Sequence, residues 1–323
     1  MNSSIKLYIF IAILIFSVDS KANYLNHPSY EEISKILVEK HEFSPEYIES
    51  VFKSATKQKK IIEAVNSPAE FTYTWQRYRR IFIEYKRIRN GKKFIKNNFN
   101  TLERAEGVYG VPKEIITAII GVETRYGKIM GTYRAIDALA TLAFDYPRRS
   151  KLFSNELIHL LILSRENNLD LFKIKGSYAG AMGFGQFIPT SYLAYAVDFD
   201  NDGSADLFGS VEDAIGSVAN YLSKHGWEAG KPVVWKTTNF LSIIKDPALI
   251  NNVRKLSTVE NFDKDFLTIK NSQFVRNESF MPLQFDLGMK KEFYLGSKNF
   301  IAITKYNRSH FYAKAVYDLS LEF

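Results

Sequence analysis

The stretch Gly110-Val111-Pro112-Lys113-Glu114-Ile115-Ile116-Thr117-Ala118-Ile119-Ile120-Gly121-Val122-Glu123-Thr124-Arg125-Tyr126-Gly127 has a proline suited to a first helical turn and a glycine suited to ending one. Between them nearly every side chain is apolar, which predicts a helix buried on most of its sides. Glu123 falls in the last turn, where the chain emerges from the core. Ile119 and Ile120 desolvate a carboxylate there, and it lies at the negative end of the helix dipole. Both effects disfavour the ionised form and raise the pKa. A glutamic acid kept protonated near neutral pH can give its proton to a glycosidic oxygen. The competing structural reading pairs Glu123 with Arg125 or Arg134.

About fifty residues further on comes Gly176-Ser177-Tyr178-Ala179-Gly180-Ala181-Met182-Gly183-Phe184-Gly185-Gln186-Phe187-Ile188-Pro189. Glycines and alanines between aromatics let a backbone pass close to a flat ligand, while Ser177 and Gln186 offer hydrogen bonds. No Gly-Lys-Ser/Thr follows, so this is not a phosphate loop. Taken alone, tight helix packing explains the glycines equally well.

Outward from these two stretches the chain reads as mainly α. Ser29 heads a run with Ile33, Ile36 and Leu37 at helical spacing, and Ser44-Pro45-Glu46 reads as an N-cap with proline at the first helical position. After Gly226 the texture changes. Val233-Val234-Trp235, Phe293-Tyr294-Leu295 and Phe300-Ile301-Ala302-Ile303-Thr304 have strand character, with Gly288 and Gly296 as turns, and Ser309 to Tyr317 predicts a closing helix. At the N-terminus, Lys6 precedes an apolar run over 7–16 and small residues near a cut after Ser20 or Ala22, the plan of a secretory signal peptide. An uncleaved membrane anchor is the alternative, although the run is shorter than the ~20 residues of a span.

Composition narrows the chemistry. The 323 residues are 46% hydrophobic and 24% charged, enough for a real core, and they contain no cysteine. That excludes disulfides, thiolate metal sites, a cysteine nucleophile and a lipid anchor on an N-terminal cysteine. The five histidines form no H-x-x-x-H pair, which disfavours a zinc site. Net charge is +8, yet residues 51–104 hold 14 basic against 4 acidic side chains. Interleaved aromatics there, including Trp75 and Tyr78, suit a packing role before a stacking platform. An exported protein rarely meets nucleic acid, so the basic stretch reads as a solvated face or a surface for an anionic polymer.

Four segments in order, Glu-Thr-Arg-Tyr-Gly (123–127), Tyr-Pro-Arg-Arg (146–149), the glycine-rich 176–187 and Asp-Ala-Ile-Gly-Ser-Val-Ala-Asn-Tyr (213–221), resemble the membrane-bound lytic murein transglycosylase B family. Ile303-Thr304-Lys305-Tyr306-Asn307 resembles a further family segment. The resemblance implies a mainly α (α+β) fold. Its parts are a signal peptide over 1–22, a helical domain over 23–104, a lysozyme-like catalytic core over 105–230, a small β-containing domain over 231–300 and a C-terminal segment over 301–323 returning to the core or helical domain. It also implies cleavage of the β-1,4 bond between N-acetylmuramic acid and N-acetylglucosamine in peptidoglycan. That cleavage is non-hydrolytic and leaves 1,6-anhydro ends.

By the same resemblance Glu123 is the single catalytic acid, then base. Ser177 and Gln186 hold the acetamido sugars, and Arg148, Arg149, Tyr221 and Tyr306 contact substrate. The best-known members of that family are lipoproteins tethered through a cysteine, and this chain has none, so the signal peptide points to release into the periplasm. Action as a monomer on glycan strands, cell-wall enzyme partners and no catalytic cofactor are the further expectations. Asp137 and Asp145 lie close enough in sequence to keep a lysozyme-type hydrolase as an alternative. A non-catalytic peptidoglycan-binding scaffold is another.

Asp198-Phe199-Asp200-Asn201-Asp202-Gly203-Ser204 reads D-x-D-x-D-G, the opening of an EF-hand-like calcium loop spanning 198–213. Asp198, Asp200 and Asp202 offer carboxylates, and Ser204 its backbone carbonyl. The glutamate usual at position 12 is replaced by Gly209. Glu212 or Asp213 lies just beyond and closes the cage, and Asp213 matches the family's late ligand across a one-residue difference. The expected ion is a structural Ca2+, or Na+ in its place.

Overall fold

The computed structural model describes residues 24–66 and 73–323. The expected signal peptide over 1–22 lies outside the described residues. Among the described residues no helix is long and apolar enough to cross a membrane.

The helices start and stop where local chemistry dictates. The first, α1 (Pro28–His41), begins one residue before Ser29, because His27 caps it by accepting the Ser29 amide and Pro28 opens the turn. Ser44 accepts the Tyr47 amide at 3.2 Å to start α2 (Pro45–Ser54). Then follow α3 (Lys59–Val65), α4 (Trp75–Phe82), α5 (Tyr85–Asn97) and α6 (Phe99–Tyr109). Trp75 and Tyr78, each 2% exposed, are core residues of α4, in line with the packing reading.

The apolar stretch forms α7 (Lys113–Thr124), with every residue from Ile115 to Val122 buried. Pro112 is its N-cap. Its end comes at Arg125 and Tyr126, both left-handed at φ 52 and 63, ahead of Gly127. The same core continues through α8 (Ala135–Asp145), α9 (Ser150–Glu166) and α10 (Pro189–Tyr195), while α5, α6 and α11 (Val211–Lys224) pack directly against α7. A short antiparallel pair, β1 (Tyr133–Arg134) and β2 (Lys175–Gly176), closes the loop beside it.

The β part is a three-stranded antiparallel sheet in the order β3 (Val234–Thr237), β5 (Lys291–Gly296), β4 (Met281–Asp286). Strand periodicity lets it serve two cores at once. Met281, Leu283, Phe285 and Tyr294 face the main helical core, while Phe293 and Leu295 face a separate cluster with Phe240, Phe262, Phe266 and Phe280. Gly288 supplies the hairpin turn with φ 86, whereas Gly296 is the last strand residue and no turn.

A second expectation fails. Phe300-Ile301-Ala302-Ile303-Thr304 is helical, inside α12 (Lys298–Tyr306). Ser297 caps it by accepting the Asn299 amide at 3.0 Å, and Phe300, Ile303 and Thr304 share its buried face. A short continuous apolar run fits either period, and the cap decides. The closing helix is α13 (His310–Ser320), capped by Ser309.

Candidate active site

Glu123 stands in the last turn of α7, half-buried, where the apolar helix reaches the surface. The ion pairs that would make it structural are formed elsewhere. Arg125 pairs with Glu84 at 3.1 Å, and Arg134 with Asp137 at 2.7 Å. What meets the carboxylate instead is Tyr312, in the first turn of α13, whose hydroxyl donates to Glu123 Oε1 at 2.6 Å. Burial first, and then the Glu123 carboxylate, push the hydroxyls of both Tyr306 and Tyr312 well above the ordinary tyrosine range. Two tyrosines from the end of the chain therefore sit against the carboxylate of the central helix as neutral phenols.

The helix end is fastened to the glycine-rich loop. Thr124 donates to the Phe184 carbonyl at 2.9 Å and accepts the Gly127 amide at 2.9 Å. Gly127, at φ 81, lies so close to the Phe184 ring that a Cβ would come within 2.0 Å of it. The loop folds on itself through Met182 and Phe187, which exchange both backbone hydrogen bonds at 2.9 Å. Its glycines are thus packing devices as well as openings.

Ser177 and Gln186 are both half-buried on this loop. Ser177 Oγ accepts the amides of Ala179 and Ala181, at 3.2 and 3.1 Å, so its own O–H remains to be donated. Gln186, left-handed at φ 52, spends Nε2 on the carbonyls of Met130 (3.1 Å) and Gly183 (3.0 Å), which leaves Oε1 as an acceptor. One donor and one acceptor are thereby fixed in direction beside the helix end.

Tyr306 donates to the Gly185 carbonyl and stacks nearly parallel to Tyr312, centroids 6.4 Å apart. Tyr221 donates to the Lys305 carbonyl at 2.7 Å and packs edge-on to Tyr306 at 4.8 Å, so its hydroxyl is committed to protein. Arg148 and Arg149 stand exposed on a 3-10 turn (Pro147–Arg149), and Arg149 lies 5.7 Å from the Phe153 ring. Arg148 forms no hydrogen bond or ion pair with a described residue. The structure gives neither arginine a contact with the Glu123 group.

Tyr312 escaped the sequence reading. The closing helix was legible, but nothing local marks the third residue after its cap as the one that reaches a residue 189 positions earlier.

In the acidic loop, oxygens of Asp198, Asp200 and Asp202 lie within 4.8 Å of one another. Asp198 and Asp200 fold the turn by accepting amides of Asp202 and Gly203, and the Ser204 amide goes to Asp202 at 3.0 Å. Asp213 is not in this trio. Fully buried, it accepts the amides of Phe199 (2.6 Å), Asp200 (3.2 Å) and Asp206 (2.8 Å), and burial pushes its pKa up. Its oxygens tie the two arms of the loop together.

These features meet known proteins across nearly the whole chain. The family model described as Transglycosylase SLT domain matches residues 26–321. Membrane-bound lytic murein transglycosylase B of Escherichia coli is 38% identical over 306 residues, covering 92% of this chain and 83% of that protein. The E. coli lytic transglycosylase SLT35, solved in complex with bulgecin A, superposes with a TM-score of 0.82 at 37% identity over 93% of this chain and 94% of its own. That protein is also known in complex with calcium. SltB3 from Pseudomonas aeruginosa, in complex with NAG-anhNAM-pentapeptide, superposes with a TM-score of 0.75 at 29% identity over 91% of this chain and 79% of its own. Its sequence, its lysozyme-like fold and its mainly helical architecture make this chain a member of the SLT-domain transglycosylase family, and an enzyme of the lytic murein transglycosylase kind.

Proposed function

We propose that the enzyme cuts the β-1,4 bond between N-acetylmuramic acid and N-acetylglucosamine without water and leaves 1,6-anhydro-muramic ends. The observation that carries this is the single carboxylate of Glu123 at the end of an apolar helix, hydrogen-bonded by a neutral tyrosine. Glu123 first protonates the glycosidic oxygen as the C1–O bond breaks. Its carboxylate then accepts the proton of the C6 hydroxyl, whose oxygen closes on C1, and the acid is regenerated. No water enters, so no second carboxylate is required.

The other nearby carboxylates support this reading over hydrolysis. Asp137 is 5% exposed and held by Arg134 and the Thr56 amide, and Asp145 is held by Lys57 and the Tyr24 hydroxyl. Both serve packing. Around Glu123, the free O–H of Ser177 and the free Oε1 of Gln186 match the C=O and N–H of an acetamido group. Tyr306 walls the sugar, and Tyr221 acts through Tyr306. Arg148 and Arg149 reach for carboxylates of the peptide-bearing strand from outside. That SltB3 has been seen with an anhydro-muramyl ligand is consistent with this product.

Product analysis of digested cell wall tests the reading. Anhydro ends are expected from the wild type, and Glu123→Gln should lose about 10²–10⁴-fold in turnover while still binding wall. Reducing ends carrying added water, or an unimpaired Gln variant, would overturn it.

The same reading places the enzyme in the periplasm, exported by its N-terminal segment. It also assigns a structural Ca2+ to Asp198, Asp200, Asp202 and the Ser204 carbonyl, with Asp213 as the buried residue that organises the loop. Hard oxygen donors converging within one turn fit that ion, and Gly203 at φ 99 permits the bend. Thermal melts with Ca2+ should show a rise in Tm that Mg2+ reproduces poorly and Asp200→Asn removes. A Ca2+-independent melt would end the assignment.

A further inference from the structure

A cavity of about 440 Å³ lies where the helical part, the sheet and the closing helix meet. Its wall joins the start of α4 (Trp75, Gln76), strand β4 and its turn (Gln284, Asp286), and the first residues of α13 (His310, Phe311). The size falls in the range of ligand sites.

It is a different space from the one facing Glu123. Its lining includes none of Glu123, Ser177, Gln186, Tyr306 and Tyr312; Phe311, on its wall, packs against the rings of Trp75 and Tyr78 at centroid distances of 5.4 and 5.6 Å, while the next residue, Tyr312, meets Glu123.

Of the polar side chains on the wall, Asn251 is spent on the backbone of Gln284 and Thr74 accepts the Arg77 amide, while the others keep free groups. Among the described residues, the side chains of Gln76 and Gln284 and the imidazole of His310 make no hydrogen bond to protein. Asp286 gives one oxygen to the Gly288 amide at 2.7 Å, and its other oxygen remains. Burial lowers the His310 pKa to about 4, so at neutral pH the ring is uncharged and offers one donor and one acceptor. Among the described residues the wall thus has one negative charge, no cation, two free carboxamides, a neutral imidazole and aromatic edges.

Those features select the ligand class. An anion is repelled by Asp286 and finds no cation to pair with. A hydroxyl- and amide-rich neutral ligand suits these groups: hydroxyls donate to the carboxylate, carboxamides serve amide and hydroxyl alike, and the apolar face of a ring lies on the half-buried Phe311. We propose that this cavity is a second saccharide site, which takes an uncharged acetamido-sugar segment of the glycan strand away from the bond being cut. It rests on glycan being the substrate, as argued above.

The test uses the full chain carrying Glu123→Gln, so that nothing is cleaved, and follows the His310 ring-proton resonance by NMR. The probes are tetra-N-acetylchitotetraose, which has neither peptide nor charge, and a free stem peptide without sugar. The oligosaccharide is expected to shift the His310 resonance saturably. Affinity read at that resonance should fall about fivefold in Gln284→Ala and in the isosteric Gln76→Glu, each costing one neutral hydrogen bond. No shift of His310 at millimolar oligosaccharide, a shift by the stem peptide alone, or unchanged affinity in both variants would overturn the site. The two proposals fail separately. Anhydro ends with a silent His310 sink only this site, and a saturable His310 shift without anhydro ends sinks only the cleavage chemistry.

Discussion

Two atoms govern the chemistry at the scale of the residue: Glu123 Oε1 and the Tyr312 hydroxyl that donates to it. A donor aimed at a carboxylate favours its ionised form, whereas the apolar surroundings and the helix dipole favour the acid. One group that must give a proton and then take one back needs both influences. Tyr312→Phe removes the first. The Glu123 pKa should rise, and the basic limb of the pH–rate profile should move to higher pH. A charge-assisted hydrogen bond is worth about 1.5–3 kcal/mol, so kcat should fall by roughly 10–100-fold if it persists in the transition state. A basic limb in the same place as the wild type's would show that the phenol does not tune the acid.

At the scale of the element, α7 holds the acid still because it is packed on almost every side. Gly121 is part of that packing. A Cβ there would come within 2.6 Å of the Tyr126 hydroxyl and 2.7 Å of its ring, and the same hydroxyl donates to the Arg87 carbonyl at 2.9 Å. Alanine is the better helix former by about 1 kcal/mol, yet forced overpacking costs about 1–3 kcal/mol. Gly121→Ala should therefore lower stability, read as an earlier denaturation midpoint with an unchanged slope, and should displace Tyr126. A stabilised variant would mean that the ring has room to move. The glycine-rich loop follows the same logic, since Gly127 and Gly185 admit the Phe184 ring and the Tyr306 hydroxyl.

Across the whole molecule, charge is distributed unevenly. On α5, Lys86, Arg89, Lys92, Lys93 and Lys96 make no ion pair with a described residue, and the helix contains no acidic side chain. Exposed Tyr85 and Phe99 flank them. This face should attract an anionic wall polymer, so binding to isolated wall should weaken as salt rises from 50 to 500 mM, given a screening length of about 8–10 Å near physiological ionic strength. Replacing Lys92, Lys93 and Lys96 by Gln should flatten the dependence. A wild-type curve indifferent to salt would remove the face from wall binding.

The sequence by itself determined the helix and the place of its acid. Apolar side chains bounded by Pro112 and Gly127 leave the chain no way to satisfy both backbone and solvent except as a buried helix, and Glu123 then has to lie at its end. The loop of Ser177 and Gln186 and the turn of Asp198, Asp200 and Asp202 were also legible, because each is contiguous and its chemistry is local. Whether 300–304 is strand or helix was not, since a short apolar run satisfies both periods until Ser297 caps one. Only tertiary structure decided that Tyr312 meets Glu123, that Arg125 and Arg134 turn to other carboxylates, that Asp213 spends itself on backbone amides, and that Phe311 lines a second cavity. Those contacts join residues far apart in the chain, and the free energy that selects them comes from shared burial, which no window of sequence contains.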